Sequence, residues 1–415
     1  MKKRAISFLL AAALTLGLIG CSGKESGSDS GKTDSPSKDL TISIFQSKNS
    51  IIDQLEDMAE EYTELTGIKV EVLGAPGENY LDNLRGKLTG KQGPTIFTVS
   101  EGTQLDILHS YLCDLSKEPY VSEIAEGMGL EYEGTLLGIP QAVEGYGMVC
   151  NDVLFGDTEL KDFDSFQAFA EELSAKDISL VELSDNSYFM LGHILNTPFA
   201  MQEDYRAYLE KLNAGEVKMS ETPEFIEWAK FMEVIRDTSG NPMGITYDDQ
   251  AADFMTGKAA SIHQGNWVWL QFADYEADFD ISLRPFPLMG NEKICVGIPN
   301  AWVVNNQKSE EEIEAGKDFL EWMFTSERGQ HYITEEFKFI PAMKNIEVAD
   351  IDPLSMAVHE YVMEENTLPW TYNIWPEGMV TNQLAAVAQK FFSDTSMTGS
   401  EFLEELDKAW SAGVK

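Results

Sequence analysis

The sequence predicts an α/β protein, on three observations. After residue 39, short runs that alternate apolar and polar residues take turns with segments whose apolar residues recur at helical spacing. The 415 residues are 43% hydrophobic and 24% charged, a mixture that buries a core and excludes wholesale disorder. No internal repeat and no Pro/Ser/Gly-rich linker divides the chain beyond Lys38, so any two domains must be joined by short strands.

The first residues stand apart from this body. Met1-Lys2-Lys3-Arg4 is a basic start, and Ala5 to Gly20 is an uncharged apolar run of 16 residues, short for a membrane span of about 20. Residues 1–20 therefore read as an export signal. Leu18-Ile19-Gly20-Cys21 resembles the bacterial lipobox, in which the cysteine is lipidated and becomes the mature N-terminus. Residues 21–38 carry no apolar side chain after the cysteine and read as a flexible tether. No second long apolar run follows Gly20, so the body is expected to be soluble.

The body opens on a strand, Leu40–Phe45. An amphipathic helix follows over Ile51–Thr66, with Ile52, Leu55, Met58, Ala59 and Tyr62 on one face and Gly67 as its stop. Ile68–Leu73 alternates as a second strand, Tyr80–Thr89 reads as a helix and Thr95–Val99 as a third strand. Phe163–Ser174 is a helix that Asp162 or Asp164 can cap. Further helices are expected at Asp204–Ala214, Thr222–Thr238, Asp249–Thr256, Glu310–Thr325 and Ser400–Ala412.

Thirty Lys and Arg against seventy Asp and Glu give a net charge of −40. Loss of Lys2, Lys3 and Arg4 would leave 27 basic and 70 acidic residues, or −43. Such a surface repels phosphate backbones and anionic headgroups, which argues against a nucleic-acid partner. A solvated acidic face explains it without a partner; a site for cationic ligands is the alternative. Cys113, Cys150 and Cys295 allow at most one disulfide, and buried free thiols are the preferred reading.

Several segments, in order, resemble the extracytoplasmic solute-binding proteins of ABC sugar importers, the family 1 group that includes maltose-binding proteins. They are Leu40–Phe45 with Thr66-Gly67-Ile68-Lys69-Val70, then Gly93-Pro94-Thr95-Ile96-Phe97 with Ser100-Glu101. Next come Gly138-Ile139-Pro140 with Val143-Glu144-Gly145-Tyr146-Gly147-Met148-Val149-Cys150-Asn151, and Gly257–Ser261 with Gly265-Asn266-Trp267-Val268-Trp269. Phe324–Glu327 with Gln330, Ile340-Pro341-Ala342, Trp375-Pro376 and the closing helix complete the set. Thr95 replaces the usual Asp and Cys150 the usual Tyr, and Gly297–Asn305 lacks the customary Gly-rich run, which leaves the second crossover's limits open.

The resemblance implies a type II periplasmic-binding-protein-like fold, two discontinuous lobes joined by a hinge with the ligand cleft between them. One lobe would comprise residues 39–146 and 299–344, the other 147–298 and 345–415. It further implies a lipid-anchored, monomeric binding subunit on the outer face of the cell membrane. That subunit would capture a carbohydrate, an oligosaccharide in particular, close on it and deliver it to the transporter's transmembrane subunits. No cofactor, no metal and no catalysis are implied.

A sugar offers C–H faces to aromatic rings and hydroxyls to carboxylates and carboxamides. Trp267 leads the aromatic candidates, because it follows the Gln264-Gly265 turn at an element end and the family stacks a ring there. Trp375, in a loop-like stretch before Pro376, is the second, and Tyr188, Trp370 and Trp302 follow. Trp269, Trp228, Trp322 and Trp410 read as core. Glu144 is the leading polar candidate: it lies among apolar and small residues, a costly place for an unbonded carboxylate, and the family's matching Glu contacts sugar hydroxyls. Glu101 follows a strand at its C-terminal end, where open α/β sheets bind ligands, and Gln46 and Ser47 end the first strand in the same way. Asn266 can bond a hydroxyl or cap its helix.

No GxSxG elbow is present. His359-Glu360 fails as a zinc-protease helix because position 363 is Met, and Gly86–Lys91 is one residue short of a phosphate loop. Five scattered histidines and no Cys pair argue against structural zinc. Asp278-Phe279-Asp280 lacks the glycine and terminal Glu of a calcium loop. Two other readings are a binding protein for a cationic ligand such as a polyamine, and, more distantly, a secreted glycan-cleaving enzyme using Glu101 and Glu144.

Overall fold

The computed structural model describes residues 40–414, except 49–50, 75–79, 273–274, 276–277 and 350. The export segment, Cys21 and the tether lie outside the described residues. Twelve strands are named in chain order. The first five are β1 (Thr41–Gln46), β2 (Lys69–Gly74), β3 (Ile96–Val99), β4 (Leu130–Tyr132) and β5 (Thr135–Pro140). They are followed by β6 (Glu144–Asn151), β7 (Ser179–Glu182), β8 (Ala259–Gly265) and β9 (Ile281–Arg284). The last three are β10 (Ile294–Gly297), β11 (Ala301–Val304) and β12 (Thr367–Pro369).

These strands form two sheets. The first has the order β2-β1-β3-β11-β5-β4, with β1 parallel to β2 and β3 and with β11 antiparallel to β3 and β5. The second has the order β12-β10-β6-β8-β7, and β9 pairs with the far end of β6. The chain leaves the first sheet after Pro140 and enters the second at Glu144. It returns between Gly297 and Ala301, and crosses again before β12. Each half is therefore discontinuous in sequence, and no linker is needed.

Local chemistry sets the helices. Helix Ile52–Thr66 buries Leu55, Met58, Ala59 and Tyr62 and ends on Gly67 in the left-handed region, whose N–H reaches the Thr63 carbonyl at 2.8 Å. Of the two candidate caps for Phe163–Ser174, Asp162 is used, in a reciprocal arrangement with Ser165. The helix expected over Asp249–Thr256 spans Tyr247–Met255, because Thr246 and Asp249 cap each other two residues earlier. Trp228 and Trp410 are wholly buried in the second half, and Trp322 is partly buried in the first. A further apolar cluster holds Phe45 and Val99 of the first sheet together with Val143, Val149 and Val358, so the halves share apolar contact around the crossings. Cys113, Cys150 and Cys295 are all free thiols, the latter two buried.

Candidate functional site

Tyr146 is the centre of the site. It lies in β6 between Gly265 of β8 and Cys295 of β10, wholly buried. Its ring stacks on His193 at 4.4 Å and faces Trp370, Trp267 and Tyr372 at 5.8, 6.2 and 6.4 Å. The Tyr146 hydroxyl and His193 Nδ1 have no protein partner. Burial drives the Tyr146 phenol well above its ordinary value and pushes the His193 imidazole down to about 3, so both are neutral at pH 7.

Two glycines seat the two indoles. Gly265 ends β8 and Gly297 ends β10, on either side of β6. A Cβ at Gly265 would overlap the Trp267 ring, and one at Gly297 would overlap Trp370. Each indole thus lies back over the end of a strand, and the two meet edge to face at 6.4 Å. A carboxamide relay holds Trp267: its Nε1 donates to Gln264 Oε1 at 2.9 Å, and Gln264 Nε2 donates to Gln250 Oε1 at 2.8 Å. Gln250 Nε2 then donates to the Glu182 carbonyl at 2.8 Å. Tyr188 is more than one-third exposed, with its ring 5.7 Å from Tyr372.

The polar groups come from both halves. Glu144 starts β6 opposite Gly297, with Lys48 Nζ of the first half 3.8 Å from its carboxylate. Burial raises the Glu144 pKa and the Lys48 charge opposes the rise. Gln46 ends β1 fully buried; its Oε1 accepts from the Lys48 N–H at 2.9 Å, while its Nε2 has no partner. Ser47 Oγ lies 3.4 Å from Thr98 Oγ1. Asn266 is committed within the protein: its Oδ1 accepts from the Gly145 N–H at 3.1 Å and its Nδ2 donates to Ser355 Oγ at 3.3 Å. Glu101 is bonded to Arg206 across the two halves at 2.5 Å.

Between the halves lies a cavity of about 610 Å³, bordered by Glu101, Glu126, Glu131 and Glu365, with Arg206 and Trp370. Trp370 thus belongs to both the cavity wall and the aromatic cluster. An adjoining crevice of about 370 Å³ shares Glu101, Glu131 and Arg206.

Two expected ligand rings lie in cores. Trp302, in β11, is 2% exposed and packed inside the first half. Trp375 is 6% exposed, held 4.7 Å from Phe199 and 5.3 Å from Trp410, and its Nε1 donates to Thr371 Oγ1 at 3.2 Å. The short helical turn Thr371–Ile374 folds the Trp-Pro segment inward, so a stretch that reads as a loop is buried. Trp269, expected in the core, is half-buried against Phe272. Tyr372, His193, Tyr146, Arg206 and Lys48, none of them a candidate from sequence, lie beside the candidate residues. Tyr146 falls within the Val143–Asn151 segment noted above; for the others no local pattern serves, since their neighbours are distant in sequence. Among the described residues no group of three or more His, Cys, Asp and Glu is placed to hold a metal ion. No helix among them is long and apolar enough to cross a membrane.

Two α/β halves with an aromatic and carboxylate-lined space between them define a ligand-binding protein that can grip its solute from both sides. The family model for bacterial extracellular solute-binding proteins matches residues 57–360, and the chain belongs to that family. Members of this family bind solutes rather than transform them.

Among its relatives is a maltooligosaccharide ABC transporter solute-binding lipoprotein of Streptococcus pneumoniae (strain ATCC BAA-255 / R6). It is 24% identical over 357 residues, covering 82% of this chain and 81% of the relative. A galactooligosaccharide-binding protein of Bacillus subtilis (strain 168) is 24% identical over 364 residues, covering 83% and 82%. The apo form of RafE from Streptococcus pneumoniae superposes with a TM-score of 0.76 at 18% identity, covering 92% of this chain and all of that one. A cyclo/maltodextrin-binding protein complexed with maltotetraose gives a TM-score of 0.70 at 17% identity, covering 92% and 99%. The fold is that of the type II periplasmic solute-binding proteins.

Proposed function

We propose that this chain captures a carbohydrate, an oligosaccharide in particular, and delivers it to the membrane subunits of an ABC importer. The observation that carries the reading is the pair of indoles, Trp267 and Trp370, set edge to face beside Tyr372 and Tyr188. Next to them stand polar groups without hydrogen-bond partners: the Tyr146 hydroxyl, His193 Nδ1 and Trp370 Nε1. Glu144 adds an anionic acceptor at the crossing between the halves. Rings take sugar C–H faces and unbonded polar atoms take hydroxyls, so the two sets together suit a glycan better than an amino acid. The names of the relatives, maltooligosaccharide and galactooligosaccharide binders, support the same class.

The halves act as lobes that close on the solute, residues 39–140 with 301–344 against 144–297 with 345–415; the expected limit at residue 146 falls inside β6, a strand of the second sheet. Cys21 carries the lipid and residues 22–38 the tether, which holds a monomer at the outer face of the membrane. More than one acyl chain gives stable anchoring, so Cys21→Ala is expected to move the protein from the membrane fraction into the medium.

A thermal-shift screen of the body from about Ser37 onward, with mono- and oligosaccharides and with polyamines and amino acids as controls, tests the ligand class. A solute that binds the folded state raises the melting temperature by mass action. Shifts in one glycan series, lost in Trp267→Ala, are the expected result. Shifts with polyamines alone, steeply weakened by salt, would favour the second reading, whose support is the four carboxylates facing one arginine around the cavity.

A further inference from the structure

Glu101 borders the cavity and also makes a contact between the halves. It follows β3 in the first half, and Arg206 sits in the first turn of helix Tyr205–Asn213, whose Tyr208, Leu209 and Leu212 are buried in the core of the second. The Arg206 guanidinium donates to Glu101 Oε1 at 2.5 Å, with the carboxylate side chain 25% exposed and the arginine 55%. The next residue, Gly102, has φ +79° and ψ −134°, a backbone conformation that L side chains rarely adopt. A Cβ there would overlap the carbonyl oxygen of Asn373, a backbone atom of the turn Thr371–Ile374 in the second half. That turn cannot give way easily, because Asn196 holds Thr371 by two hydrogen bonds.

We propose that Glu101–Arg206 and Gly102–Asn373, at the border of the cavity, form a clasp that sets how much of the protein is closed, and thereby its affinity. The inference about affinity rests on the solute-capture reading above; the clasp itself does not. A ligand can shift the two-state balance only by its differential affinity, so any contact made solely in the closed form adds to apparent affinity in proportion to the closed fraction. The ion pair is partly exposed, so it is screened by salt. The glycine contact is steric and insensitive to salt.

Single-molecule energy transfer between one dye on each half, on the ligand-free chain, tests the clasp. Arg206→Glu is expected to lower the closed-to-open ratio about fivefold at low salt and less at 0.5 M salt. The exchanged pair Glu101→Arg with Arg206→Glu is expected to restore it. Gly102→Ala is expected to deplete the closed population at any salt concentration. An unchanged ratio in Arg206→Glu, or no recovery in the exchanged pair, overturns the ion-pair half of the clasp. A Gly102→Ala chain that folds and closes like wild type overturns the steric half, and a Gly102→Ala chain that does not fold leaves the exchanged pair to decide. A protein that binds no glycan would sink the functional reading while leaving these populations measurable.

Discussion

Asn196 and Thr371, 175 residues apart, are joined twice: the Asn196 Oδ1 accepts the Thr371 backbone N–H at 2.7 Å and its hydroxyl at 2.8 Å. Asn196 Nδ2 donates to the Pro369 carbonyl at 2.9 Å and to Cys295 Sγ at 3.4 Å. One wholly buried carboxamide thus brackets Trp370 on both sides and orients the turn that presents Tyr372.

Asn196→Ala strands the buried N–H and hydroxyl of Thr371, and a buried polar group left unpaired costs about 1–3 kcal/mol. A stability loss of roughly 2–4 kcal/mol in urea titration is expected. Ligand affinity should fall with it, because the flank of Trp370 loosens. Unchanged affinity in the folded protein would separate the turn from the site.

Trp267→Ala and Trp375→Ala should part company. The first removes a half-buried ring of the proposed site and is expected to weaken solute binding by about 30-fold, or about 2 kcal/mol. The second opens a hole between Phe199 and Trp410 and is expected to cost about 3–5 kcal/mol of stability while the remaining folded protein keeps most of its affinity. Calorimetric titration beside thermal melts distinguishes the two patterns.

Acid should weaken the fold through two histidines. Burial pushes His193 and His263 from 6.5 down to about 3. Below pH 6.5 the unfolded chain takes up a proton on each ring and the folded one does not, so stability falls as pH falls from 6.5 toward 3. Each ring contributes about 1.4 kcal/mol per pH unit in that window. His263→Leu is expected to remove its share of the slope between pH 6 and 4, read from melts at half-unit steps.

Glu182 works in the opposite sense. Burial first, and then the Asp253 charge, push its carboxyl from 4.5 up to about 8, and its Oε1 has no hydrogen-bond partner. The folded state therefore holds a proton that the unfolded state has lost. Stability from this group is full below pH 4.5 and declines as pH rises to about 8. Glu182→Gln stays neutral throughout and should be more stable than wild type at pH 9, with the difference vanishing near pH 4. Equal melting curves at pH 9 would refute this account of Glu182.

The opening strand–helix order, the Gly67 stop and the choice of Asp162 or Asp164 as a cap were legible because each rests on residues within a few positions. The seat of Trp267 is local in the same way, since Gly265, two residues before it, makes room for the ring. That of Trp375 is not. Its neighbours Phe199 and Trp410 come from other parts of the chain, and the Trp-Pro dipeptide by itself looks like an exposed loop. Tyr372 carries no local signal because its position depends on Asn196, and the Glu101–Arg206 pair carries none because its members lie 105 residues apart. Periodicity reports which face a residue takes on its own element. It does not report which other element meets that face.

The three free thiols have a practical consequence for watching this protein move. Cys150 and Cys295 are buried, with burial raising both thiol pKa values, and the half-buried Cys113 is pushed up to about 11. Maleimide reacts with the thiolate, so at pH 7 these native sulfurs are shielded by both access and charge state. Cysteines introduced on the surface of each half would take up dye selectively in the folded body, with the native three left in place.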